Sequence, residues 1–189
     1  MLEKIKKLVP DAVVIQEGDS IVKLLPEDFR RVAEALRNDT EAPMDYLRDI
    51  VGMDWGEEGL GALYYLESSH TYRRIILRTA ASSREEAYLP SVSDLWKTAL
   101  IKEREVYDFL GIRFLNHPDM RRLFLREDWK GWPLRKDYDM NSNPLNMENE
   151  ENADVTDEYY LLPDGKIADR KNIIFDQKDF VVNIGPQHP

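Results

Sequence analysis

The sequence contains no cysteine in 189 residues. That absence excludes disulfide frameworks, thiolate zinc sites, all-cysteine iron-sulfur ligation and cysteine nucleophiles. Histidine is nearly as scarce. The three histidines, His70, His117 and His188, are too scattered to show the one-turn spacing of a helical metal site. The nine glycines are dispersed and none sits between a strand and a helix, so no phosphate-cradling loop is expected. Bases are outnumbered, 26 against 36 acids, and the formal charge of -10 gives no footprint for nucleic acid or anionic lipid. No stretch approaches the roughly 18 apolar residues of a membrane span. The opening MLEKIKKLVP mixes charges through its apolar positions, unlike a signal peptide, so a cytosolic chain is expected.

What is present reads as one α+β domain. Leu2, Ile5, Leu8 and Val9 recur at helical spacing before Pro10, which predicts a short opening helix. Ala12 to Ile15 and Ser20 to Leu25 are aliphatic runs around Glu17-Gly18-Asp19, a hairpin signal. Pro26 starts a second helix with Phe29, Val32, Ala33 and Leu36 on its apolar stripe. Three strands are expected at Tyr46 to Trp55, Leu60 to Glu67 and Tyr72 to Thr79; Tyr46, Leu47, Ile50 and Val51 also fit a helix, but the strand reading is adopted. After Pro90 the helical period returns through Leu95, Trp96, Ala99, Leu100, Val106, Tyr107 and Leu110, and Gly111 stops it. The order αββαβββα predicts a two-layer domain, a mixed five-stranded sheet covered by helices on one face. Beyond Ile112 periodicity disappears, and Asp139 to Tyr160 is polar and acidic, as a linker or extended arm would be. Ile173 to Phe175 and Phe180 to Ile184 are short apolar runs in need of a partner strand.

The densest charged cluster is Glu103, Arg104, Glu105 and Asp108. Two of these carboxylates could in principle serve as a glycosidase-like acid and base. A structural network is the preferred reading, because Glu103 lies on the apolar stripe and must find a cation or donor, with Arg121 or Arg122 as candidates. Arg104 and Asp108 are four apart and can pair along the helix. Glu105 and Phe109 occupy a different face, which suggests that the helix touches something on two sides. His117 precedes Pro118 and fits no nucleophile-base order, so a structural turn is expected. Glu127-Asp128-Trp129-Lys130-Gly131-Trp132-Pro133 packs two tryptophans about a glycine; such rings either fold back on the core or anchor an interface.

These residues together resemble a known family. Glu103-Arg104-Glu105-Val106-Tyr107-Asp108-Phe109-Leu110-Gly111-Ile112, Asn116-His117-Pro118-Asp119-Met120-Arg121-Arg122-Leu123, and Glu127-Asp128-Trp129 with Pro133-Leu134-Arg135-Lys136-Asp137-Tyr138 resemble the signature of the C subunit of complex I-type NADH:quinone oxidoreductases. Two positions depart from it: Arg126 stands where the family commonly has proline, and Trp132 where it commonly has histidine. Val182-Asn183-Ile184-Gly185-Pro186-Gln187-His188-Pro189 resembles the opening of the complex I D subunit.

The resemblance implies a division into a C-subunit-like domain at 1–138, an acidic linker or arm at 139–172 and the start of a D-subunit-like region at 173–189, as in a C/D fusion. It implies a cofactor-free scaffold with no catalytic, cofactor-binding or metal-ligating residue of its own. NADH, FMN, iron-sulfur clusters and quinone are expected in partner subunits, and the expected neighbours are the D subunit and cluster-bearing subunits of the peripheral arm. The expected place is the cytoplasmic side of the inner membrane, held there through the complex. The corresponding subunit of a membrane-bound [NiFe] hydrogenase or formate hydrogenlyase is the alternative. A free-standing hydrolase or binding module is the reading from other classes.

Overall fold

Alternation of burial along the strands fixes which side of the sheet faces the core. In the computed structural model, which describes residues 2–17, 20–139, 159–161 and 167–169, five strands make one mixed sheet. They are β1 (Val14–Glu17), β2 (Ile21–Leu24), β3 (Tyr46–Asp54), β4 (Leu60–Glu67) and β5 (Arg74–Ala80), in the spatial order β1-β2-β5-β4-β3. The β2-β5 pair is parallel and the other three pairs are antiparallel. Val22, Leu24, Leu47, Ile50, Ala62, Tyr64, Leu66, Ile75 and Leu77 are all buried, and their register partners share one face, as period-2 geometry requires.

Among the described residues three helices accompany the sheet: α1 (Leu2–Leu8), α2 (Pro26–Arg37) and α3 (Ala99–Leu110). Pro26 sits in the first turn of α2, where its missing N–H costs nothing, with Glu27 and Asp28 beside it. The stripe Phe29, Val32, Ala33 and Leu36 is fully buried, and the Phe29 ring lies 4.4 Å from that of Tyr64 on β4. The α3 helix packs on the edge strand β3. Their approach is close because Gly52 has no side chain: a Cβ there would stand 2.5 Å from Leu110 Cδ1. The α+β sheet covered by helices is therefore the architecture that the element order predicts.

Two features escaped the pattern. A 3-10 turn, Gly56–Glu58, fills the predicted β3-β4 connection, and a parallel ribbon forms from β6 (Tyr88–Pro90) and β7 (Arg113–Leu115), the strands flanking α3. The last helix also begins later than its period suggests, because Leu95 and Trp96 lie in turns ahead of Ala99. The chain divides into two units, Met1–Met140 and Asn141–Pro189. In the second, β8 (Tyr159–Leu161) pairs antiparallel with β9 (Ile167–Asp169). The apolar runs at 173–175 and 180–184 and the motif residues Gly185, Pro186, Gln187, His188 and Pro189 lie outside the described residues.

Candidate functional site

The signature residues surround α3 and the irregular segment that follows β7, and three buried carboxylates organise them. Asp108 is fully buried near the end of α3. Its Oδ2 accepts the backbone N–H groups of Leu123, Phe124 and Leu125 at 3.0, 2.6 and 2.9 Å, and its Oδ1 faces Arg122 Nη1 at 3.0 Å. Burial pushes this carboxyl up, but the three N–H donors and the guanidinium outweigh it and hold the acid below its ordinary range. Arg122 also donates to Trp129 O and Gly131 O and lies over the Trp132 ring at 4.6 Å.

Glu103 is also fully buried, but its surroundings differ. Its Oε2 is 2.6 Å from the Ser91 hydroxyl, and its Oε1 accepts the Val92 N–H at 2.8 Å. The expected partners Arg121 and Arg122 do not reach it. Arg122 is committed to Asp108, and Arg121 pairs at 2.8 Å with Asp119. With donors but no cation in contact, burial dominates and pushes Glu103 up to about 7. Arg30 of α2, which binds Ser91 O and Asp94, lowers it only partly. The His117 Nε2 lies 3.9 Å from Glu103 Oε2 with both side chains fully buried. His117 Nδ1 accepts the Asp119 N–H, which leaves Nε2 to carry the proton toward Leu100 O, and burial lowers its pKa.

The third carboxylate, Asp54 at the end of β3, was not singled out from the sequence. Both its oxygens meet Arg84 at 2.7 Å, and it accepts the N–H groups of Gly56 and Lys136, each at 2.8 Å. The Arg84 guanidinium holds it far below the usual carboxylate range. Arg84 reaches on to Asp137 at 3.0 Å, so the 84 loop, the strand end and the signature tail converge on one ion cluster. The turn-forming aspartate after an apolar run was the available signal; the arginine thirty residues away was not.

Several of the remaining signature residues, Arg104, Gly111, Arg135 and Tyr138 among them, serve the same closure. Arg104 donates to the carbonyls of Arg121 and Arg122 at 3.0 and 2.9 Å, so it does not form the expected helical pair with Asp108, which is turned inward. Glu105 pairs with Lys102 at 3.0 Å. Gly111 closes α3 with φ of 72°, and a Cβ there would stand 2.5 Å from the Trp132 ring. Arg135 donates to Leu110 O, and Tyr138 donates to Lys130 O while its ring covers Gly131. Trp129 and Trp132 are half-buried, and Trp132 lies 5.2 Å from the Tyr107 ring. Asp128 pairs with Arg126, Glu127 and Pro118 are exposed, and Pro133 forms the turn before Leu134. Glu103 and Asp108 therefore face different loops, Glu103 the segment at Ser91 and Val92 and Asp108 the segment at 123–125. Among the described residues no group of three His, Cys, Asp or Glu side chains is placed to hold a metal.

The family described as respiratory-chain NADH dehydrogenase, 30 Kd subunit, matches residues 22–144. The NADH-quinone oxidoreductase C/D subunit of Phocaeicola vulgatus is 56% identical over 146 residues, which cover 77% of this chain and 28% of that protein. This chain thus spans less than a third of that relative's length. The NADH-quinone oxidoreductase C subunit of Roseiflexus sp. is 34% identical over 150 residues, covering 77% of this chain and 86% of the relative. A chain in the structure of the membrane-bound sulfane sulfur reductase, an archaeal respiratory membrane complex, shares the fold with a TM-score of 0.62. It is 22% identical and covers 83% of this chain and 93% of that one. The family match spans most of the sheet and every signature residue from Glu103 to Tyr138, and on it the chain belongs to the family of the respiratory-chain NADH dehydrogenase 30 Kd subunit.

Proposed function

We propose that this chain is the C-subunit part of a C/D polypeptide in a proton-pumping NADH:quinone oxidoreductase. It works there as a structural element of the peripheral arm and holds no flavin, cluster or quinone itself. NADH, FMN, iron-sulfur clusters and quinone belong to neighbouring subunits in this reading, and the assembly sits on the cytoplasmic side of the inner membrane. Residues 1–138 form the C-subunit domain, 139–172 a connecting arm and 173–189 the start of the D part.

The observation that carries the reading is the closure of the signature. Glu103, Asp108 and Asp54 each spend buried acceptor oxygens on the backbone of a loop, so three irregular segments are held in one arrangement. A chemistry-bearing site leaves its carboxylates open to a substrate, whereas a docking element benefits from loops whose shape is set before the partner arrives. Purification of the assembled oxidoreductase through a tag on another of its subunits tests this. The proposal expects this chain, as part of a polypeptide extending past residue 189, in the active complex at equal stoichiometry. Absence of the chain from a preparation that still reduces quinone with NADH overturns it. Nickel-binding cysteine pairs in the region past residue 189 would assign it to a hydrogenase instead.

A further inference from the structure

Lone exposed apolar side chains are ordinary on a protein surface, but a contiguous set drawn from distant segments is not. On the outward side of α3 three such residues gather about the half-buried Phe109. Val51 of edge strand β3 is 36% exposed, Phe124 65% and Leu134 62%, and the Phe109 ring stacks on Phe124 with centroids 5.7 Å apart. Val51, Phe109 and Leu134, with Gly52 and Leu110, line a cleft of about 130 Å³ between β3 and α3, and Phe124 backs the Phe109 ring. A dry cavity of roughly 150 Å³ holds a benzene ring, so this volume suits one aliphatic or aromatic side chain.

The cleft is set in shape before anything enters it. The Leu134 N–H donates to Phe109 O at 3.1 Å, and Arg135 donates to Leu110 O at 2.6 Å. Little conformational entropy remains to be lost there on binding. The mouth is charged on one side. Asp49 and Glu105 share a single cation, Lys102, at 3.0 Å each, which leaves one carboxylate charge unbalanced on a chain of net charge -10. A second copy docked about a twofold axis would bring the same acidic rim against itself, which disfavours a homodimer.

Resting on the proposed docking role of this chain, we infer that the α3-β3 cleft receives an apolar side chain from elsewhere in the assembly, the part of the polypeptide past residue 189 included. That side chain is carried on a segment with a lysine or arginine beside it, which meets the Asp49-Glu105 rim.

The test places the photo-cross-linker p-benzoyl-phenylalanine at position 134 of the full-length polypeptide in cells, with the complex purified through a tag on a different subunit. After irradiation, the expected product is one dominant cross-link to a peptide outside residues 1–189 that carries Lys or Arg within about one helical turn of the captured residue. Cross-linking only to residues 141–189, to a second copy, to a peptide without a base, or to nothing overturns the inference. A companion variant, Leu134→Glu, should lower the amount of this chain in the purified complex at least tenfold while its total cellular level stays the same, and undiminished recovery counts against the inference. If the wild-type chain itself fails to co-purify, the functional reading falls, and this inference falls with it; if it co-purifies and position 134 captures no partner, only this inference falls.

Discussion

Glu103 and Asp108 stand five residues apart on one helix, both fully buried, yet burial leaves one raised and the other lowered. The difference lies in the donor count. Asp108 has three backbone N–H groups and a guanidinium, and Glu103 has one hydroxyl and one N–H. The Glu103 network accommodates either protonation state, because Ser91 and Ser93 hydroxyls lie 2.8 Å apart and can turn together. A protonated Glu103 donates to Ser91, which then donates to Ser93; an ionised one accepts from Ser91, which then accepts from Ser93. Asp108 has no such freedom. Asp108→Ala strands Arg122 and three loop N–H groups, and should destabilise the chain by about 3–5 kcal/mol, the cost of breaking a buried pair by one partner. Urea unfolding measures it, and an unchanged midpoint would mean that the loop at 123–125 is held by something else.

At the scale of elements, α3 depends on two glycines for different reasons. A Cβ on Gly52 meets Leu110 Cδ1 at 2.5 Å and Val106 Cγ1 at 2.8 Å, so Gly52→Ala lifts α3 from β3. The expected cost is about 1–3 kcal/mol from overpacking. Gly111→Ala carries about 1–2 kcal/mol of left-handed strain, and its Cβ drives into the Trp132 ring. Both should lower the melting temperature, but only Gly111→Ala should shift the emission of a chain whose tryptophan signal is reduced to Trp132. Equal spectra for both variants would contradict the assigned contacts. The same elements explain what the sequence could reveal. The helical look of Tyr46, Leu47, Ile50 and Val51 comes from a bulge between Leu47 and Asp49, which puts Leu47 and Ile50, three apart, on the same buried face and so imitates helical spacing. The β6-β7 ribbon left no trace, since three-residue strands show no period and Pro90 argues against one. Its partners are also separated by the whole of α3.

Across the molecule, the sheet half was legible because apolar periodicity records local geometry. The signature half was legible only as a set of residues, because its order comes from carboxylates acting on backbone far along the chain. Glu103 and Asp108 could be named in advance, while Ser91, Val92 and the 123–125 loop could not, since a backbone N–H has no sequence signal. That division has a consequence for stability against pH. Asp54 and Asp108 have lowered folded-state pKa values, so their contribution is present above the unfolded value near 4 and is lost as pH falls below it. Glu103 acts in the opposite sense. Its folded pKa of about 7 lies above the reference value of 4.5, so the folded chain binds the extra proton between those limits, and this stabilisation is lost as pH rises through 7. The size is about 3 kcal/mol, at roughly 1.4 kcal/mol for each tenfold difference in proton affinity. Arg30, Asp94, Tyr64 and His117 surround Glu103, and all four remain in Glu103→Gln, so their own titrations cancel to first order when wild type is compared with that variant. Gln mimics the protonated acid, with an amide N–H for Ser91 and an oxygen for Val92. Wild type should therefore lose about 3 kcal/mol relative to Glu103→Gln between about pH 4.5 and pH 8, measured from urea midpoints at constant ionic strength. A difference that stays flat across this range would show that Glu103 is ionised throughout and that a counter-charge, not a proton, satisfies it.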